Sequence, residues 1–183
     1  MAKSVVAFSL AEFDPSYTRV LIGYAEFSFV NFTDLGTLEV ITGFANFLES
    51  KVESLVNLTS IGGRAYFGKS EIQDLGQLTT IGGYADFEGS KIKSLGNLTT
   101  IGGSAYFGNS QIKDLGNLTT IGEDAYFNDS EVKSLGNLTT IRGDAYFRDS
   151  AIKDLGNLTT IGGRANFGNK KDLKAEWEKR KNK

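Results

Sequence analysis

The apolar positions of this chain recur on a period of 20 residues. Leucine opens the unit at Leu35, Leu55, Leu75, Leu95, Leu115, Leu135 and Leu155, and phenylalanine marks one phase from Phe27 through Phe87 to Phe167. A fixed period this short predicts a stack of small units, each burying its apolar face only against its neighbours. Inside a unit, Ala85 and Phe87 alternate with Tyr84 and Asp86, the two-residue period of a strand. The pattern predicts strands centred on 24–27, 44–47, 64–67, 84–87, 104–107, 124–127, 144–147 and 164–167, in one parallel sheet with Phe87 inside and Asp86 outside. Leucine and isoleucine at the positions of Leu95, Leu98 and Ile81 fall three apart, which predicts extended or 3₁₀-like coil. The Gly82-Gly83 pair predicts a tight corner or a close backbone approach. A serine column from Ser50 to Ser150 is placed to satisfy backbone groups where the strand ends.

The ends depart from the period. Val5 and Ala7 stand one unit before Ala25 and Phe27, so residues 1–19 are expected to form an N-terminal cap, with a strand at Ser4–Phe8 and a turn at Pro15. Residues 20–168 are the solenoid. In 169–183, Leu173 and Trp177 lie four apart on one face of a capping helix, with Asp172 at its N-cap.

Composition narrows the chemistry. The 183 residues include no cysteine and no histidine, which removes disulfides, thiolate metal sites and the commonest general base. A net charge of −2 with 23% charged residues gives no general attraction to nucleic acid or anionic membrane. The lysine column Lys93, Lys113, Lys133 and Lys153 is offset by Asp74, Asp114 and Asp154. No apolar run reaches the length of a membrane span, and a cytoplasmic protein is expected. Glu123, Asp124, Asp129, Asp144 and Asp149 cluster in two adjacent units, with Arg142 and Arg148 close by. A mosaic of surface charge is favoured over a calcium site, because GGxAxF lacks the GGxGxD of the calcium-binding nonapeptide repeat. The same acidic pair as a glycosidase dyad lacks a flanking cleft. The Thr-Thr pairs could form an ice-binding array only if adjacent threonines faced the same way, which an extended segment does not allow. Neither cofactor nor metal is expected, and the chain reads as a non-enzyme.

The order GGxAxFxxSxIxxLxxL resembles the leucine-rich repeat LxxLxLxxNxLxxL. Ala85, Phe87, Ser90, Ile92 and Leu95 fall at its second and third leucines, its asparagine and its next two leucines. Gly82 stands at the first leucine position, alanine replaces a leucine, and serine replaces the asparagine. The resemblance covers about 20–168 and is nearest to the short repeats of bacterial and phage proteins. It implies a mainly β, right-handed solenoid of about eight turns with a parallel sheet on its concave face, and a binding role toward proteins.

Differences between units concentrate on the strand face, from residue 84 to residue 91 of the unit. One column reads Tyr24, Phe44, Arg64, Tyr84, Ser104, Asp124, Asp144, Arg164, and the column two residues on is mostly tyrosine. Tyrosine offers large amphipathic contact area and is enriched at interfaces. It is also a good strand former, so a merely solvated face is the alternative. The expected binding residues are Tyr66, Tyr84, Asp86, Tyr106, Asp124, Tyr126, Asp144, Tyr146 and Arg148. The partner is expected to be another protein, with neither nucleic acid nor membrane, and capped ends are expected to keep the chain a monomer. A structural part, such as a surface or virion component working through its stiff column, is the second reading.

Overall fold

The structure, a computed structural model, describes residues 13–181; the strand expected at Ser4–Phe8 lies outside the described residues. The chain coils into a β-solenoid with two parallel sheets, not one, each of eight two-residue strands. The strands of the tyrosine sheet run from Ala25–Glu26 through Ala105–Tyr106 to Ala165–Asn166, inside the expected ranges. Those of the threonine sheet run from Val20–Leu21 through Thr100–Ile101 to Thr160–Ile161, where coil was expected. Spacing within one unit could not reveal this second sheet. Stacking on an unbroken period lays each extended pair beside its own copy, as in Thr100↔Thr120 and Ile101↔Ile121, and a ladder forms wherever two consecutive residues are extended.

Between the two sheets runs the core. Ala85, Phe87, Ile92, Leu95, Leu98 and Ile101 are buried, as are their copies in the interior rungs. The phenylalanines stack from Phe27 to Phe167 at centroid separations of 4.7–5.6 Å with near-parallel planes. Burial of each ring stabilises by roughly 2–3 kcal/mol before the entropy of ordering.

Polar side chains carry hydrogen bonds from rung to rung. Thr99 Oγ1 donates to the Thr79 carbonyl at 3.0 Å, and Thr119 to Thr99 at 3.1 Å. Asn97 Nδ2 donates to the Gly76 carbonyl at 3.1 Å. The repeated Asn-Leu-Thr triplet is therefore part of the stacking. Both threonines of a pair lie on the outer side, since Leu98 and Ile101 flank them inward, contrary to the strict alternation expected of them. At the serine corner, Ser70, Ser110 and Ser150 donate to the carbonyls of Phe67, Phe107 and Phe147, each at 2.8 Å. Ser50, Ser90 and Ser130, on the alternate rungs, have buried hydroxyls without a partner.

The same two-rung alternation appears in sequence at Asp34, Ser54, Asp74, Ser94, Asp114, Ser134 and Asp154, where bridges join Ser54 to Asp74, Ser94 to Asp114 and Ser134 to Asp154. Ser134 Oγ donates to Asp154 at 2.8 Å. Aspartate in every rung would stack carboxylates about 4.8 Å apart, and like charges directly opposite are destabilising. Serine between them separates the charges and donates to them.

The glycine corner is a close approach. A Cβ at Gly102 would stand 2.2 Å from the Gly82 carbonyl oxygen. Where Glu123 and Arg142 occupy this corner the rungs give way: Glu123 N–H reaches Gly103 O at 3.3 Å, against 2.9 Å for Gly103 to Gly83.

At both ends of the described stack the hydrogen bonds join residues beyond the regular repeat to it. Thr37 N–H donates to the Pro15 carbonyl at 2.8 Å, and Glu39 N–H to the Arg19 carbonyl at 2.8 Å. Ser16 N–H donates to Asp14 Oδ1 at 2.8 Å, which forms the turn expected at Pro15. At the other end α1 (Lys171–Lys181) buries Leu173 and Trp177 against the last rung. Asp172 lies in its first turn rather than at the N-cap. Arg180 donates to the carbonyls of Gly156 and Leu158 at 2.9 and 2.8 Å, taking the place of a next rung's amides.

Two stability predictions follow from this geometry. Val56 holds φ at +43°, at a position where Gly36, Gly76, Gly96 and their successors take the same left-handed conformation. This conformation costs an L-residue about 1–2 kcal/mol. Val56→Gly is expected to raise the melting temperature by about 2–4 °C by calorimetry, since Val56 is 40% exposed and loses little burial. Truncation after Asn169 removes one buried tryptophan and one buried leucine, worth roughly 4–5 kcal/mol before entropy. A clear loss of melting temperature with end-to-end association in sedimentation is expected. An unchanged melt would show α1 to be a tail.

Candidate functional site

The outer face of the tyrosine sheet carries two residues per rung, at the positions of Tyr84 and Asp86. In each of the first seven rungs one of the two is aromatic and the other polar or charged. The ring changes column from rung to rung, but the row is unbroken. Centroid separations are 4.7 Å for Tyr24–Phe44, 5.2 Å for Phe44–Tyr66, 5.3 Å for Tyr66–Tyr84 and 5.0 Å for Tyr84–Tyr106. The row continues with Tyr106–Tyr126 at 4.3 Å and Tyr126–Tyr146 at 4.9 Å, planes nearly parallel. Reading each column alone hides this row. The structure thus brings the predicted Tyr66, Tyr84, Tyr106, Tyr126 and Tyr146 together, and Tyr24 and Phe44, which the sequence reading left out, extend it. Comparing the two positions within each rung would have found it.

Stacking has a chemical consequence. The faces of Tyr106 and Tyr126 are covered by neighbouring rings, so the ring edges are what the row presents outward. The rings are half-buried, not free on the surface as the outward position implied, and they contribute to the column's stability.

In four of these rungs the polar member of the pair holds the ring. Tyr84 donates to Asp86 Oδ2 at 3.2 Å, Tyr126 to Asp124 Oδ2 at 3.1 Å and Tyr146 to Asp144 Oδ2 at 3.0 Å; Tyr24 donates to Glu26. Asp124 Oδ1 also accepts the Asp144 N–H at 2.7 Å, and Asp144 Oδ1 the Arg164 N–H at 2.7 Å. These aspartates are members of the ladder. Among the described residues no three carboxylates gather as a metal site. Arg148, the remaining predicted residue, lies at the sheet's exposed corner and pairs with Asp149 at 2.8 Å.

Where a carboxylate or amide takes the second column it caps the turn that follows: Asp86 Oδ1 accepts the Glu88 N–H at 2.8 Å, and Asn46 Oδ1 the Leu48 N–H at 3.0 Å. A phenol oxygen, at the far end of a rigid ring, cannot bend back to that amide. Rungs with Tyr66, Tyr106, Tyr126 and Tyr146 give up this cap for an aromatic outer surface.

Apolar exposure is concentrated toward the N-terminal rungs. The large exposed apolar side chains among the described residues are Tyr17, Ile22, Tyr24, Phe29, Leu48 and Val56. Beside the row, an open groove of about 490 Å³ runs over the glycine corner at Gly82–Gly83 and Gly102–Gly103, between Arg64, Tyr66 and Tyr84 on one side and Glu123 on the other. No helix among the described residues is long and apolar enough to cross a membrane.

The comparisons with known proteins return nothing: no protein-family model matches the chain, and neither does any curated protein or solved structure. The class that can be stated is a 20-residue-repeat β-solenoid of stacked parallel strands.

Burial is the leading cause that pushes the Tyr84 and Tyr126 hydroxyls up, with their aspartate partners acting in the same direction. Tyr146 is pushed up mainly by its bond to Asp144. A tyrosine whose folded value is raised favours folding below its unfolded value, about 10, and that contribution is lost as pH rises beyond it. The melting temperature is expected to fall above about pH 10. Absorbance titration is expected to show a late-ionising class of tyrosines that becomes normal in denaturant. A single ordinary transition in the folded chain would contradict the hydrogen-bonded row.

Proposed function

We propose that this chain is a non-enzymatic protein-binding module, of the short leucine-rich-repeat kind found in bacteria and phages, working in the cytoplasm through the outer face of its tyrosine sheet. The observation that carries the reading is the unbroken aromatic row from Tyr24 to Tyr146, kept at the expense of turn caps that asparagine or aspartate supplies in the same column. Stacking accounts for part of the row; its continuity across both columns through the first seven rungs is what a partner surface would use. Ring edges and hydroxyls flanked by Asp86, Asp124, Asp144, Arg64 and Arg148 form a mixed apolar and charged surface, the composition that protein interfaces use. Absence of histidine and cysteine fits a role without acid–base or thiol chemistry.

The test replaces Tyr106, Tyr126 and Tyr146 together by asparagine, which Asn46 and Asn166 show this column accepts. A protein retained from an extract of the source cells by the immobilised wild-type chain is purified and titrated against both chains. Aromatic hot spots cost about 2 kcal/mol or more when removed, so a loss of affinity of about thirtyfold or more is expected with the fold intact by circular dichroism. Equal affinity would overturn the reading.

A further inference from the structure

We propose that the tyrosine sheet binds a second copy of this chain, face to face, with the two solenoid axes antiparallel. The inference rests on the binding reading above, since both place the contact on this face.

Period is the first argument. The face presents one ring per rung at about the inter-strand spacing of 4.8 Å, and a second solenoid carries features at the same spacing. Identical side-chain ladders interdigitate well for this reason. A single extended strand rises about 3.4 Å per residue and falls out of step within a few rungs.

Charge selects the orientation. A two-fold axis along the solenoid sets each rung against itself with the two columns exchanged, so that Asp124 faces Tyr126 and Arg64 faces Tyr66, and no arginine of the two columns meets a carboxylate. A two-fold axis along the strands sets the first rung against the eighth, the second against the seventh, and so on. Glu26 then faces Asn166, and Asp86 faces Tyr106. Arg64, exposed, falls opposite Asp124, twice by symmetry, and Tyr66 falls opposite Tyr126. Leu48, 38% exposed, meets the stem of Arg148, and Tyr24, 54% exposed, meets Arg164, so the apolar N-terminal rungs are covered by arginines. Asp144 falls opposite Phe44, but both of its oxygens already accept hydrogen bonds, from the Arg164 N–H and the Tyr146 hydroxyl.

Area is sufficient. Eight rungs span about 34 Å, and the five residues across the face about 17 Å, which gives roughly 1,150 Å² over two copies, above the ~1,000 Å² that a biological interface needs and at the small end of the range. A two-fold contact on this side face closes on itself, so a dimer replaces the expected monomer without leading to a filament.

Sedimentation equilibrium on the full chain at micromolar concentration is the test. A mass of two 19.8 kDa chains is expected. Arg64→Glu sets a carboxylate against Asp124 in two symmetric places and is expected to weaken the dimer by about a hundredfold or more, with an unchanged far-UV circular dichroism spectrum. Adding Asp124→Asn, which keeps the amide oxygen that accepts the Asp144 N–H, is expected to restore much of the association. A monomeric wild-type chain would overturn the second copy as partner and leave the face to a different protein, which the extract experiment decides separately. A dimer indifferent to Arg64→Glu would place the contact elsewhere and overturn the proposal. Failure of Asp124→Asn to restore association would overturn the register.

Discussion

Everything in this molecule depends on identical residues stacking over identical residues at the spacing of a parallel sheet. In the interior rungs the backbone amides of the strands meet carbonyls of the adjacent rung, and each buried apolar side chain has its own copy above and below. The core is a column, so no rung is stable by itself and the cost of error repeats along the stack. This constraint explains choices that look arbitrary within one repeat. Glycine at Gly102 allows the close approach of the Gly82 carbonyl, and where Arg142 takes the same column its rung bond lengthens to 3.0 Å from 2.8 Å. Thr99 is threonine because its hydroxyl reaches the Thr79 carbonyl. Asp and Ser alternate from Asp34 to Asp154 because stacked carboxylates repel.

The same constraint shapes the outer face. Any side chain there acquires a neighbour on the next rung, whether or not function requires one. Aromatic rings exploit this by stacking, and the slot beside each ring is left for a polar group. In several rungs that group accepts the phenol's hydrogen bond, as Asp144 does for Tyr146. Asp124 and Asp144 also bond the following rung's amide, so a carboxylate pair that suggested a cation site in sequence is absorbed into the backbone ladder. What remains for a partner is a row of ring edges, more rigid than any single surface tyrosine, with its conformational entropy already lost in folding.

The ends show what the stack requires by how its absence is repaired. Pro15 offers its carbonyl to Thr37 outside the regular register, and Arg180 supplies donors to the carbonyls of Gly156 and Leu158 where a following rung's amides would have stood. A guanidinium serves because its several N–H groups reach two carbonyls at once. These repairs are local, whereas the side faces carry no equivalent cover.

How much of this was legible in the sequence differs between inside and outside. The period, the buried phases at Ala85, Phe87, Ile92, Leu95 and Leu98, and the helix with Leu173 and Trp177 inward were determined by the sequence alone, because burial acts on each residue's own phase and repeats it. The second sheet at Thr100–Ile101 was decided by stacking, since two extended residues become a strand only when a neighbour pairs with them. The outward placement of both Thr99 and Thr100 likewise came from the path of the rung. The continuous row through Tyr66, Tyr84 and Tyr106 was decided in three dimensions, because a ring in one column touches a ring in the other only across the gap between rungs. A sequence specifies which residues share a column; which columns meet, and what each side chain finds there, depends on the distance between rungs that the backbone hydrogen bonds impose.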